Sequence, residues 1–244
     1  MHIELVGSTS AGKTTLAKEM VVAGKRSGIK VYLSDDFLLE QMHLNWVKND
    51  FIRRRLVEFF AFAVFLRHPA KYNEFVTFVF REGKISSGSW LYKVNRIRNV
   101  IRKIGIFEFI TLRSNSHQVV LADNEGLLQG VHNLFVHQNS DADETKIAKY
   151  VELIPLPDVI LFLRQDETIL VSRTLKRGHA RVDGSSPEKV THFIRQAIAV
   201  FDELIAVPKI QERLLVVDGE KNIHSENRNL LNANIHLVTD LVRS

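Results

Sequence analysis

The residues Gly7-Ser8-Thr9-Ser10-Ala11-Gly12-Lys13-Thr14 match the pattern G-x-x-x-x-G-K-[ST], and a further hydroxyl follows at Thr15. A strand-like run, His2–Val6, leads into the pattern and a helical pattern leaves it, the context in which such a loop binds phosphates. Glycines let the backbone bend until several N–H groups face one β-phosphate. The N-terminus of the following helix adds partial positive charge. Lys13 supplies a mobile cation for the β- and γ-phosphates of ATP, with GTP as the alternative, and the Thr14 hydroxyl is a ligand for Mg²⁺.

Three further groups have the right chemistry for such a site. Asp123 ends the apolar run Val119-Val120-Leu121-Ala122, where a carboxylate can hold Mg²⁺ directly or through water. The competing reading is that Asp123 or Asn124 caps a helix, and Glu125 could orient a substrate or a water. Arg173 and Arg177 are four residues apart and so share a helical face, with Gly178 as a hinge behind them. Guanidiniums closing over the γ-phosphate would stabilise the charge that phosphoryl transfer spreads; the alternative is a solvated basic helix, and His179 reads as incidental. Asp35 and Asp36 lie at the carboxyl end of a strand, where open α/β sheets place ligands; alternatively Ser34 or Asp35 only caps the next helix.

The elements that must carry these residues follow from periodicity. Strands are predicted over 2–6, 30–34, 118–122, 158–163 and 213–217, each with a helical pattern behind it. The first helix covers 13–27. Leu127, Leu128, Val131, Leu134 and Phe135 form one helical face, and Val190, Phe193, Ile194, Ala197, Phe201, Leu204 and Ile205 form another. A last helix is predicted to about residue 242. Alternating strands and helices imply an α/β fold with a doubly wound parallel sheet, in the order 2-3-1-4-5. Residues 37–113 break the alternation and read as three or four inserted helices over the acceptor side. The expected organisation is a single domain, 1–244, with that insert and a lid over about 171–184.

The chain of 244 residues has no cysteine, which excludes disulfides and Cys-ligated zinc. No apolar run approaches the roughly 20 residues of a membrane span, so the expectation is a cytoplasmic protein without membrane contact. The net charge of +5 is uneven, since residues 48–113 hold 14 Lys/Arg and five Asp/Glu. That basic insert reads as a pocket for an anionic small-molecule acceptor, as a nucleic-acid surface built on Arg53, Arg54 and Arg55, or as a solvated helical surface. Trp46 and Trp90 read as core, and a homodimer is compatible with the sequence.

The loop at 7–14, the strand ending at Asp123, "PDVILFLR" with "SRTLKRGHAR", and "LLVVDG" at 214–219 together resemble the P-loop kinases, specifically the thymidylate-kinase-like and nucleoside-monophosphate-kinase group. The Asp-Arg pair that many thymidylate kinases carry after the third strand is replaced here by Asp123-Asn124-Glu125-Gly126. Ser34-Asp35-Asp36-Phe37 looks like the Asp-Asp-Phe segment of small-molecule P-loop kinases. That resemblance implies that Asp36 receives the acceptor hydroxyl's proton, that residues 171–184 form a lid, and that the loop after the fifth strand lies near the nucleotide base. It implies Mg·ATP-dependent phosphorylation of a small molecule, with a nucleoside or nucleotide as leading acceptor. The alternatives are a polynucleotide 5′-kinase and a nucleotide-gated regulatory NTPase.

Overall fold

A computed structural model describes residues 1–82, 90–115, 117–122, 126–136, 143–178, 182 and 186–219. Among them, five strands form one all-parallel sheet: β1 (His2–Val6), β2 (Lys30–Leu33), β3 (Gln118–Ala122), β4 (Val159–Arg164) and β5 (Leu214–Asp218). The order is β2-β3-β1-β4-β5, as the sequence predicts. With β1 at the centre, its carboxyl end is the switch point at which open α/β sheets bind ligands. The last two strands begin and end one residue later than expected.

Both faces of the sheet are covered. Helix α1 (Lys13–Arg26) packs on β1 and β2, burying Leu16, Ala17 and Met20. On the opposite face lie α5 (Trp90–Arg113) and α9 (Pro187–Ala206), the latter burying the seven-residue stripe from Val190 to Leu204. His2 of β1 meets the ring of Phe107 of α5 at 5.0 Å between centroids. The strand therefore has no solvated side, although His2-Ile3-Glu4-Leu5 alternates polar and apolar.

The insert comprises α2 (Ser34–Gln41), α3 (Asp50–Phe65), a 3₁₀ turn (Pro69–Tyr72), α4 (Asn73–Glu82) and α5. It has its own core of Phe37, Leu38, Leu39, Val57, Ala61, Ile106, Phe109 and Ile110, seated on Val120 of β3. Helices α3 and α5 cross backbone against backbone, because a Cβ at Gly105 would overlap the carbonyl of Ala61. Trp46, expected in the core, is 70% exposed; it precedes α3 on a short connector with little packed over it. The helix expected from Leu127 is regular only over α6 (Gly130–Phe135), yet all five residues of its predicted face are buried. The predicted last helix to residue 242 lies outside the described residues.

Candidate phosphate-binding and acceptor sites

The loop between β1 and α1 is shaped by three residues with positive φ: Gly7 at 148°, Ser10 at 64° and Gly12 at 103°. Gly7 is also pressed against β4, where an added Cβ would stand 2.8 Å from the Leu163 carbonyl oxygen. Only glycine satisfies both demands there. Lys13 folds back into the loop and is buried, its Nζ donating to the carbonyls of Gly7 at 2.8 Å and Ser8 at 3.0 Å. Those carbonyls hold the ammonium where a triphosphate would compete for it. The Ser8 hydroxyl is buried with no hydrogen-bond partner among the described residues, an orphan polar group of the kind a bound anion would satisfy. The residues thus fit a polyphosphate. Thr14 and Thr15 stand exposed in the first turn of α1.

The predicted basic helix is α8 (Glu167–Arg177), capped by Asp166, which accepts from the Thr168 N–H at 2.7 Å. It already touches the phosphate loop. Arg173 Nη1 donates to the Ser10 carbonyl at 3.3 Å, and Thr174 Oγ1 donates to Ser10 Oγ at 3.0 Å. Arg177 is exposed one turn further on, before Gly178 at φ 74°. Beside the loop, a groove of about 520 Å³ runs from Ser8 past Arg164 and Gln165 to Asp218. The Gly219 N–H donates to the Arg164 carbonyl at 2.8 Å, tying the end of β5 to that of β4.

A second support for the loop carries polar residues that the sequence reading missed. Gly7 N donates to Gln129 Oε1 at 3.2 Å, and Thr9 Oγ1 lies 3.4 Å from His132 Nε2. His132 is buried, stacked on Phe201 at 6.0 Å and edge-on to Phe193. The segment holding Gln129 is gripped from below. Glu4, fully buried in β1, accepts the Gln129 N–H at 2.8 Å, with the N–H groups of Leu127 and Leu128 also turned toward its carboxylate. Lys103 Nζ donates to the Gly126 carbonyl at 2.7 Å, and Tyr150 OH donates to the Leu127 carbonyl at 2.6 Å. Burial pushes the Glu4 carboxyl up to about 7, against the pull of those N–H groups and of Lys103. A Cβ at Gly126 would overlap the Glu4 carboxylate, so the segment passes directly over it. Asp123, Asn124 and Glu125, the expected metal and orienting residues, lie outside the described residues, as do His179 and the lid beyond Gly178 except Val182. Among the described residues no cluster of three or more metal-ligating side chains occurs.

Within the helical insert, expected to hold the acceptor, α5 divides two environments. Toward α2 and α3, Asp35 Oδ2 pairs with Arg102 at 2.8 Å and Asp36 Oδ1 with Arg53. Capping by Ser34 or Asp35 is ruled out as their role: Leu33 is the N-cap of α2, no side chain caps it, and both aspartates sit in its first turn. Arg53, Arg54 and Arg55 do not converge on one pocket: Arg53 is on Asp36, Arg55 pairs with Glu58 at 2.9 Å, and Arg54 is exposed. Toward α4, α6 and α7 (Glu144–Leu153) there is instead a cavity of about 180 Å³. Asn95, Arg96, Asn99 and Lys103 of α5 and Asn133 of α6 line it over an apolar floor that includes Phe75.

Neither a protein family model nor a curated protein sequence matches the chain. Among solved structures, deoxyadenosine kinase from M. mycoides with the products dCMP and a flexible dCDP bound is similar at 15% identity and a TM-score of 0.46, over 100% of this chain and 99% of that one. The same kinase with bound dCTP gives 16% identity and a TM-score of 0.44, over 96% and 98%. Shikimate kinase from Acinetobacter baumannii in complex with shikimate gives 14% identity and a TM-score of 0.45, over 98% and 93%. The fold assignment rests on the chain's own features: a parallel sheet in the order β2-β3-β1-β4-β5 with the glycine loop between β1 and α1 makes this an α/β P-loop NTPase fold with a helical insertion.

Proposed function

We propose that this chain is a P-loop kinase that transfers the γ-phosphoryl group of Mg·ATP to a small molecule, with a nucleoside or nucleotide as leading acceptor. The observation that carries the reading is the meeting of two elements at Ser10. The phosphate loop holds Lys13 within it, and α8 rests Arg173 and Thr174 on the same loop residue. Cations from two sides then face one triphosphate position, an arrangement that favours charge developing on a transferring phosphoryl group. Gly7, Ser8, Thr9, Ser10, Ala11, Gly12, Lys13, Thr14 and Thr15 are assigned to the polyphosphate. Thr14 and Asp123 would hold Mg²⁺, which would supply neutralisation of the polyphosphate charge. Arg173 and Arg177 are assigned to the transition state.

Two positions compete for the acceptor, and α5 lies between them. Asp36 has one oxygen engaged by Arg53 and is half exposed, which suits an orienting or proton-accepting carboxylate. The cavity is floored by apolar side chains and lined by the amides of Asn95, Asn99 and Asn133 with Arg96 and Lys103, the usual make-up of a small-ligand site. At about 180 Å³ it suits a single heterocycle rather than a drug-sized ligand. An ADP-release screen over nucleosides, nucleotides, sugars, short oligonucleotides and amino alcohols tests the function. A kinase releases ADP only with its acceptor, whereas acceptor-independent slow hydrolysis would point to a regulatory NTPase. With the acceptor in hand, Asn99→Ala raises its KM if the cavity holds it, and Asp36→Asn removes transfer if the carboxylate orients it.

A further inference from the structure

Among residues 7–15, Ser10 alone is a non-glycine residue with positive φ, at 64°. A side chain disfavours that left-handed conformation, which persists only where the surroundings hold it. Here the surroundings belong to α8. Arg173 donates to the Ser10 carbonyl and Thr174 to the Ser10 hydroxyl, bonds that join positions more than 160 residues apart. One helix therefore grips both oxygens of the left-handed residue.

The two grips differ in kind. Arg173 reaches the carbonyl at 3.3 Å through a long side chain, and it serves a transferring phosphoryl group only after leaving that carbonyl. Thr174 is 1% exposed, on the same inward face as Leu170, and meets Ser10 Oγ at 3.0 Å. A threonine inside a helix can turn its hydroxyl back to the carbonyl four residues earlier; this one bonds across the fold instead. Its branched side chain has few χ1 choices in a helix, so the position of Oγ1 reports the position of the helix itself.

We propose that Thr174 is a positioning residue for phosphoryl transfer. Its hydroxyl clasps Ser10, which keeps the loop in its left-handed turn and keeps α8 in register once Arg173 has left the carbonyl. The proposal rests on the kinase reading above, in which Arg173 acts on the transition state. Ser10 Oγ, as acceptor of the Thr174 bond, retains its own proton for a phosphate oxygen.

Two measurements test the clasp, the first without turnover. Ser10→Ala removes the clasp and keeps the backbone strain, whereas Ser10→Gly removes the clasp and adopts a positive φ freely. Calorimetric titration with Mg·ATP should show Ser10→Ala binding about three- to ten-fold more weakly than wild type, the usual worth of one hydrogen bond. Thr174→Val, which deletes the hydroxyl and keeps the branched shape, should match it, and Ser10→Gly should lose less. Equal affinity of Ser10→Ala and Ser10→Gly overturns the proposal. The second measurement is kcat at saturating Mg·ATP, with the acceptor returned by the ADP-release screen. Thr174→Val should lower it by about ten-fold or more, as misplacement of a catalytic group does, and Thr174→Ser should restore it. The pair Thr174→Val with Arg173→Ala should be no slower than Arg173→Ala alone, because Thr174 acts through Arg173. Losses that simply add would make Thr174 an independent packing contact and overturn the proposal. Should Thr174→Val fail to fold, Ser10→Gly paired with Arg173→Ala gives the same cycle. A wild type that binds Mg·ATP but releases no ADP with any acceptor ends the kinase reading, and the calorimetric comparison still decides the clasp. A wild type that binds no Mg·ATP overturns both.

Discussion

The phosphate loop and the proposed acceptor end of this molecule are built by different means. At the phosphate end the backbone does the shaping: three positive φ angles and a carbonyl-lined seat for Lys13 lie within eight residues of sequence. At the acceptor end the shape comes from side chains on α5 that meet partners distant in the chain. Arg102 reaches Asp35, 67 residues away, and the cavity draws on α4, α5, α6 and α7. A site written in a short stretch of backbone is specified locally, while one assembled across four helices depends on the whole insert packing correctly.

That contrast can be broken most directly at Lys13. Lys13→Ala should reduce turnover by at least about 10²–10³-fold, the usual loss when one preorganised charge donor is removed. Its Tm should stay close to wild type, because the side chain bonds loop carbonyls rather than the core. Near wild-type kcat would remove Lys13 from the site. Arg173→Ala should lower kcat by up to about 10³-fold with a smaller change in the KM for ATP. Equal losses in both would mean that the guanidinium serves ground-state binding.

Glu4→Gln sharpens the comparison, since Glu4 holds the segment that touches the phosphate loop. The Glu4 carboxyl is raised in the folded chain from an ordinary 4.5 to about 7. Its contribution to stability is therefore complete below about 4.5 and is lost as pH rises through about 7. Wild type should gain stability relative to Glu4→Gln on going from pH 8 to pH 5, by on the order of 3 kcal/mol. Buried His2, held down to about 4 chiefly by desolvation, has the opposite slope, but it is present in both proteins and cancels in the difference. Denaturant melts at both pH values give the result, and a constant gap would mean that Glu4 does not titrate in this range. The smallest expected effect is on the acceptor side. Gly105→Val, overpacked against Ala61, should cost about 1–3 kcal/mol and raise the acceptor KM, while the Kd for Mg·ATP stays unchanged. A comparable loss of nucleotide affinity would show that the two ends are one unit.

The same division explains what could be read in advance. The five strands, their order, the loop and the stripe of α9 are local patterns, and the structure carries them where the sequence places them. Glu4 and His2 carry no signal of burial in the sequence, because their alternation with Ile3 and Leu5 is the pattern of a strand with one wet face. Only the docking of α5 makes that face dry. Gln129 and His132 lie beside Leu128 and Val131 in an apolar helical pattern, and nothing in their spacing announces contact with residues more than 120 positions earlier. The three consecutive arginines suggested a single cationic patch, but helical geometry turns successive side chains about 100° apart and delivers them to different partners.

Contact between Gly105 and Ala61 has a mechanical consequence. With no side chain between the two backbones, α3 cannot slide along α5, since a shift of one turn would drive Val57 or Phe65 into the crossing. The two helices must swing as one lever. Arg102 and Lys103 are neighbours on that lever and point to opposite compartments, one to Asp35 and the other to the cavity wall at Gly126. A variant that disturbs this turn of α5 should therefore perturb the Asp35 pair and the cavity wall together.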